Sequence, residues 1–255
     1  MKDLFLPGLP VDKIVACYEA APGDELKTKF KSAESSAALA ANAFGLFLDP
    51  AYRLPPLPHC EFFGIPMAPV ALAATVRFPW RGGRHPWLDA LVETESALIG
   101  IESKRFEPFR AAKPPSLSEA YRRPVWGAAM TAFEGTCERL RSRQLQFAQL
   151  DAAQLVKHAF GLRSEVHRDG RRKGKTPVLL YLYAEPRKWP DGRVIAPEAH
   201  ARHREEIARF ADAVAGDEVL IRSCSYGDLL DGWRASGKER LRAHADAVEE
   251  RFRPR

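Results

Sequence analysis

The sequence predicts an α/β fold, a sheet carrying helices, on three observations. Short runs rich in apolar and β-branched residues alternate with longer stretches of helical periodicity. One of those runs, Val178-Leu-Leu-Tyr-Leu-Tyr183, is apolar throughout apart from its tyrosine hydroxyls, the mark of a strand covered on both faces. At 255 residues, with 45% hydrophobic and 28% charged composition, the chain can bury a full core without disulfides or a structural metal. A single domain over 1–255 is expected, with its core at about 32–184 and a C-terminal extension at about 195–255.

From Ser32 to Phe47, serines precede an alanine- and leucine-rich run whose apolar residues recur at helical spacing, so an early helix is expected. Prolines at 50, 55, 56 and 58 forbid regular structure and make the next stretch a connecting loop. Val70–Phe78, Trp87–Glu93 and Ala97–Arg105 predict three consecutive antiparallel strands, with turn-forming Arg81-Gly-Gly-Arg84 between the first two. Lys113-Pro-Pro-Ser116 ends that region. Gly127 to Gly161 carries helix-compatible spacing, clearest at Ala148, Ala152, Leu155, Val156 and Ala159. A basic loop leads to the strand at 178–183, expected at the centre of the sheet. A helix at Pro197–Ala215, a strand at Glu218–Cys224 and an amphipathic helix at Lys238–Phe252 complete the order.

A net charge of +6 and a pI near 9.2 favour a polyanionic partner, because summed positive potential concentrates phosphate-bearing ligands at the surface. Cys17, Cys60, Cys137 and Cys224 are widely spaced with no Cys-x-x-Cys pair, so free thiols are expected in place of a zinc site or disulfide framework. No window holds the roughly twenty apolar residues of a membrane span, and Met1–Pro10 lacks a basic-then-apolar leader pattern. A cytoplasmic protein without a membrane partner is expected. Neither a phosphate-loop pattern nor a nucleophile elbow occurs.

The residues that carry chemistry lie on the second predicted hairpin. Pairing Val92 with Ala97 across a turn at 93–96 puts Asp89 opposite Gly100 and diagonal to Glu102. Glu102 and Lys104, two apart on one strand, project to the face of Gly100 and Asp89, while Ile99 and Ile101 anchor the other face. The missing side chain at Gly100 leaves room for an ion or a phosphate oxygen. Two carboxylates diagonal across strands, about 7–8 Å apart at the backbone, can share a hard cation such as Mg²⁺ or Mn²⁺. The carbonyl of Ser103 is a further expected ligand. Such an ion polarises a phosphate and acidifies a bound water, while Lys104 orients that water or neutralises developing charge. Phosphodiester hydrolysis is the reaction this arrangement suits. Glu-x-Lys alone carries no weight, since Glu25-Leu26-Lys27 repeats it. Glu102-Ser103-Lys104 differs by lying at the polar end of an apolar strand beside one bearing Asp89.

Leu88-Asp89-Ala-Leu-Val92 followed by Ala97-Leu-Ile-Gly-Ile-Glu102-Ser-Lys104-Arg105 resembles the core motif of the PD-(D/E)xK, or restriction-endonuclease-like, nuclease superfamily. The resemblance covers a little over half the chain, and the run from Ser35-Ser36 through Asn42 with Gln154–Gly161 is similar to a bacterial branch of that superfamily. The motif departs in one place, Leu88 standing where proline is usual, with Pro86 nearby. The resemblance implies a core of helix, three-stranded antiparallel meander, helix and strand. It implies that Asp89 and Glu102 bind the metal and that Lys104 is the catalytic lysine. It also adds Glu34 on the first helix and the polar pair Gln154 and Lys157 on the later one. A helix-capping role for Glu34 and solvated positions for Gln154 and Lys157 are the alternatives.

Arg163 to Lys175 holds six basic residues, among them Arg171, Arg172, Lys173 and Lys175, against Glu165 and Asp169. Clustered cations in a glycine-containing loop can track a phosphate backbone, with Arg81 and Arg84 doing the same from the other side of the cleft. A solvated loop and a plain turn are the alternatives. His200 and His203 fall in a charged helix and read as solvated, and His158 reads as structural or as facing the site. The function expected is a Mg²⁺-dependent nuclease acting on DNA. The alternative classes are a catalytically silent nucleic-acid-binding or scaffold protein, and a hydrolase of small phosphate compounds, which would need a closed pocket.

Overall fold

The computed structural model describes residues 2–21, 24–112 and 114–253. Five strands form one mixed sheet whose spatial order is the order of the chain: β1 (Ala71–Thr75), β2 (Trp87–Glu93), β3 (Ala97–Lys104), β4 (Thr176–Tyr183) and β5 (Leu220–Ser225). The first three are antiparallel neighbours, and β3, β4 and β5 run parallel. The helices, in chain order, are α1 (Val11–Ala20), α2 (Glu25–Thr28), α3 (Ser36–Phe44), α4 (Thr131–Arg141), α5 (Ala152–His167), α6 (Pro197–Ala213), α7 (Tyr226–Ala235) and α8 (Glu239–Phe252).

Parallel neighbours need a crossover, and α5 and α6 sit in the two that link β3 to β4 and β4 to β5. Both pack on one face, as crossovers of one hand stepping in one direction across a sheet must. There they bury Leu88, Leu91, Leu98, Leu179 and Tyr181. Helices α1, α3, α7 and α8 cover Ala90, Val92, Ile99, Ile101, Val178, Leu180 and Leu182 on the other face. This double cover explains the apolar run in β4, in which every residue from Pro177 to Tyr183 is buried.

The expected strands lie where the sequence placed them to within a few residues. The stretch from Gly127 to Gly161 is not one helix. Arg143, at φ +60°, terminates α4, and α5 starts afresh where Asp151 accepts the Gln154 N–H at 2.9 Å. The loop between them is pinned by Glu206 of α6, whose carboxylate takes the N–H groups of Ala148, Gln149 and Leu150 at 2.8, 2.8 and 3.0 Å. The helices α1 and α7 were not anticipated. Helix α7 begins directly from β5 through a capping box in which Ser225 and Asp228 satisfy each other's backbone N–H groups. All four cysteines are free, and no helix among the described residues is long and apolar enough to cross a membrane.

Candidate functional site

The β2–β3 hairpin turns at Glu95-Ser96, where Thr94 N–H donates to the Ala97 carbonyl at 3.0 Å. Thr94 Oγ1 accepts the Ala97 N–H, also at 3.0 Å, which fixes the turn one residue beyond the position expected. The register slides by two, so Leu91 and not Asp89 faces Gly100, and the same ladder brings Asp89 level with Glu102. A slip of two preserves the faces, which is why Glu102 and Lys104 still point toward α5. Gly100 plays a different part from the one expected. A Cβ there would stand 2.6 Å from Leu88 Cδ1 and 2.9 Å from Leu162 Cδ1, so glycine lets β2 and α5 close over the strand and leaves no space for an ion.

Strict alternation of faces fails at Asp89. Leu88 and Leu91, three apart, both pack on the α5 side, while the adjacent Leu72 and Ala73 of β1 both pack on the other. Ala73, which the β1–β2 register sets against Asp89, has φ +47°, a conformation that costs an L-residue of order 1 kcal/mol. The paired kink frees Asp89 from the pleat, and its Oδ2 accepts the Ser103 N–H at 2.7 Å. Ser103 is held in turn, its hydroxyl 2.7 Å from that of Tyr226 at the start of α7.

Lys104 Nζ donates to Glu102 Oε1 at 2.5 Å and to Gln154 Oε1 at 2.8 Å. Glu102 Oε2 lies 3.0 Å from Nε2 of His158. Gln154 and His158, one turn apart on α5, therefore grip the Glu102–Lys104 pair from the same helix face. Burial by itself raises the Glu102 carboxyl, yet Lys104 and His158 outweigh it and hold the pKa at about 2. Asp89 goes the other way: burial and the nearby Glu102 carboxylate push it well above the carboxylate range, against the pull of Lys104 and the Ser103 N–H. Burial disfavours the Lys104 ammonium, but Glu102, Glu107 and Asp89 prevail and raise its pKa.

Asp89, Glu102, Lys104 and Gln154 line a cleft of about 830 Å³ at the C-terminal end of β3, with His158 buried behind Glu102. The N-terminal turns of α3 and α5 also open onto it, at Ser35–Ala37 and Asp151–Gln154, so two positive helix ends face the same space. Glu34 lines the cleft but pairs with Arg110 and touches none of the three core residues. Lys157 is half-buried and does not line it, and of the two it is the buried His158, also behind the cleft wall, that meets Glu102 one turn beyond Gln154. His203 is not solvated: it is fully buried, with Nε2 2.9 Å from the Tyr181 hydroxyl, and His200 rests against Phe109.

The expected phosphate-tracking set lies elsewhere. Arg171 and Arg172 pair with Glu93 at 2.8 and 3.5 Å, Lys173 with Asp169 at 2.7 Å, and Lys175 lies 3.7 Å from Glu93. Because β3 and β4 run parallel from Ala97 and Thr176, this loop sits at the far end of the sheet from Lys104, roughly 20 Å away at strand rise. Arg81 and Arg84 are exposed in the β1–β2 loop and do not line the cleft.

Among the described residues, no three or more histidine, cysteine or acidic side chains gather as a metal-binding group. The pair Asp89 and Glu102 nonetheless suits one hard cation. Both donors are carboxylate oxygens, Asp89 Oδ1 accepts no hydrogen bond among the described residues, and the mutual repulsion that raises the Asp89 pKa is what a divalent charge relieves. No family model, no curated protein and no solved structure matches the chain.

Proposed function

We propose that this protein is a metal-dependent nuclease that hydrolyses phosphodiester bonds, with DNA as its substrate, Asp89 and Glu102 as ligands for Mg²⁺ or Mn²⁺, and Lys104 as the catalytic lysine. The observation that carries the reading is the convergence, at the end of one strand, of the half-buried Asp89, the buried Glu102 and an ammonium held by Glu102 and Gln154. Support also comes from the run α3, β1–β3, α5 and β4, which has the element order of a restriction-endonuclease-like core apart from the inserted α4. A cytoplasmic setting belongs to the same reading.

When bound, the cation supplies polarisation of the scissile phosphate and acidification of a water. The chain supplies the rest. Lys104, aimed by Gln154, orients the attacking water or neutralises charge developing on phosphorus oxygens. His158 holds the Glu102 carboxylate from behind, a support that typically changes metal affinity 10–100-fold. The helix ends of α3 and α5 favour a phosphate in the cleft. A second reading, a silent nucleic-acid-binding scaffold, is favoured by one observation: both Glu102 oxygens already have cationic or imidazole neighbours.

The test is to incubate the protein and Lys104→Ala with DNA and RNA in Mg²⁺, Mn²⁺ or chelator. Metal-dependent cleavage, reduced by about 100-fold or more in the variant, is expected. Equal cleavage by both proteins would reject the site, and metal-independent DNA binding without cleavage would support the scaffold.

A further inference from the structure

The cationic side chains that line the cleft are not equivalent. Lys29 is paired with Glu25 at 2.6 Å, Arg110 with Glu34, and Lys104 with Glu102 at 2.5 Å. Arg143 also lines the cleft and is exposed, yet its guanidinium has no ion pair or hydrogen bond among the described residues.

Its backbone makes the residue more unusual. Arg143 is the residue after the C-cap Ser142 of α4, at φ +60°, with its N–H given to the Leu140 carbonyl at 3.2 Å and the chain closed behind it by Leu145 N–H to Arg139 at 3.0 Å. Helices end this way on glycine, or on asparagine, because a Cβ strains the left-handed conformation. The chain here keeps arginine at a position where glycine is the stabler choice. Strain of this kind at the rim of a cleft, on a side chain left without a partner, points to a ligand.

We infer that Arg143 binds a backbone phosphate of the nucleic acid strand, one flanking the scissile phosphate. The inference rests on the nuclease reading and adds to it the residue that anchors substrate. A guanidinium suits the role, since it meets two phosphate oxygens at once and stays charged at any working pH. Lys29 and Arg110, already neutralised, would have to give up a carboxylate to do the same.

The position gives the experiment two readouts that move in opposite directions. Arg143→Gly and Arg143→Asn both suit the left-handed backbone, so each should melt higher than the parent protein, by about 2–4 °C for glycine. Both should bind a fluorescein-labelled DNA oligonucleotide, single- or double-stranded, with Ca²⁺ in place of Mg²⁺, about 3–30-fold more weakly. The slope of log affinity against log salt should fall by about 0.7–0.9, the value of one phosphate contact. Arg143→Lys should keep the slope, and Arg242→Ala, a charge removed from α8 away from the cleft, should keep both slope and affinity. Unchanged affinity and slope in the glycine and asparagine variants would overturn the assignment while leaving the nuclease reading standing, provided the parent cleaves. A parent protein that binds neither form of DNA would overturn both.

Discussion

Asp89 and Glu102, neighbours in one site, have their pKa values moved in opposite directions, and the difference predicts how stability follows pH. Glu102 has its pKa depressed to about 2, so the stability it contributes is present above the ordinary carboxylate range and is lost as pH falls toward 2. Asp89 has its pKa raised, so its contribution is complete at acid pH and is lost as pH climbs through the folded-state value. Removing the Asp89 charge should therefore stabilise the apoprotein. Asp89→Asn can still accept the Ser103 N–H, and at neutral pH it should be more stable by about 0.5–2 kcal/mol, as is common when a functional-site burden is lifted. Melts of the two proteins at pH 5 and pH 8 check this: the advantage of asparagine should grow with pH. An advantage that shrinks over that interval would mean that Asp89 is stabilised as its anion.

At the scale of elements, β3 shows what a sequence can and cannot carry. Its alternation of Ile99 and Ile101 with Gly100, Glu102 and Lys104 gave the faces correctly, because the period of two survives a two-residue slip. The register itself depended on Thr94 acting as the last paired residue through its own hydroxyl, a local bond that propensity does not reveal. Gly100 was legible as a special position but not for the right reason, since its neighbours Leu88 and Leu162 come from another strand and a helix 62 residues away. The corrected reason makes a prediction. Gly100→Ala forces a Cβ into that contact and should cost about 1–3 kcal/mol, read as a lower urea midpoint. A neutral effect would mean the glycine is not a packing requirement. Similarly, α5 is legible from its apolar stripe, but the polar pair implied by the resemblance, Gln154 and Lys157, does not meet at Glu102 and Lys104, where His158 joins Gln154 instead. The i, i+4 spacing from Gln154 was the better signal.

For the whole molecule, net charge does not tell which basic side chains are left without acidic partners. The densest basic segment is consumed by Glu93, Glu165 and Asp169 at the hairpin end of the sheet, where it anchors the β4 entry. Two helix N-termini and Arg143 line the cleft, a juxtaposition that arises only once the topology brings α3, β3 and α5 to one place. The α/β class and the five strands were legible because their apolar runs are short and bounded by turn-forming or polar residues. Helices α1 and α7 were not, because α1 starts after Pro10 with no side-chain cap, and α7 runs on from β5 with no loop to separate strand from helix.

Whether the carboxylates of Asp89 and Glu102 hold a divalent ion together is asked directly by titration calorimetry of Mn²⁺ into the protein and its Asp89→Asn and Glu102→Gln variants. The structure predicts one ion bound by the parent protein and binding weakened at least about 10-fold in each variant. Identical isotherms for all three proteins, or no heat from the parent, would contradict it.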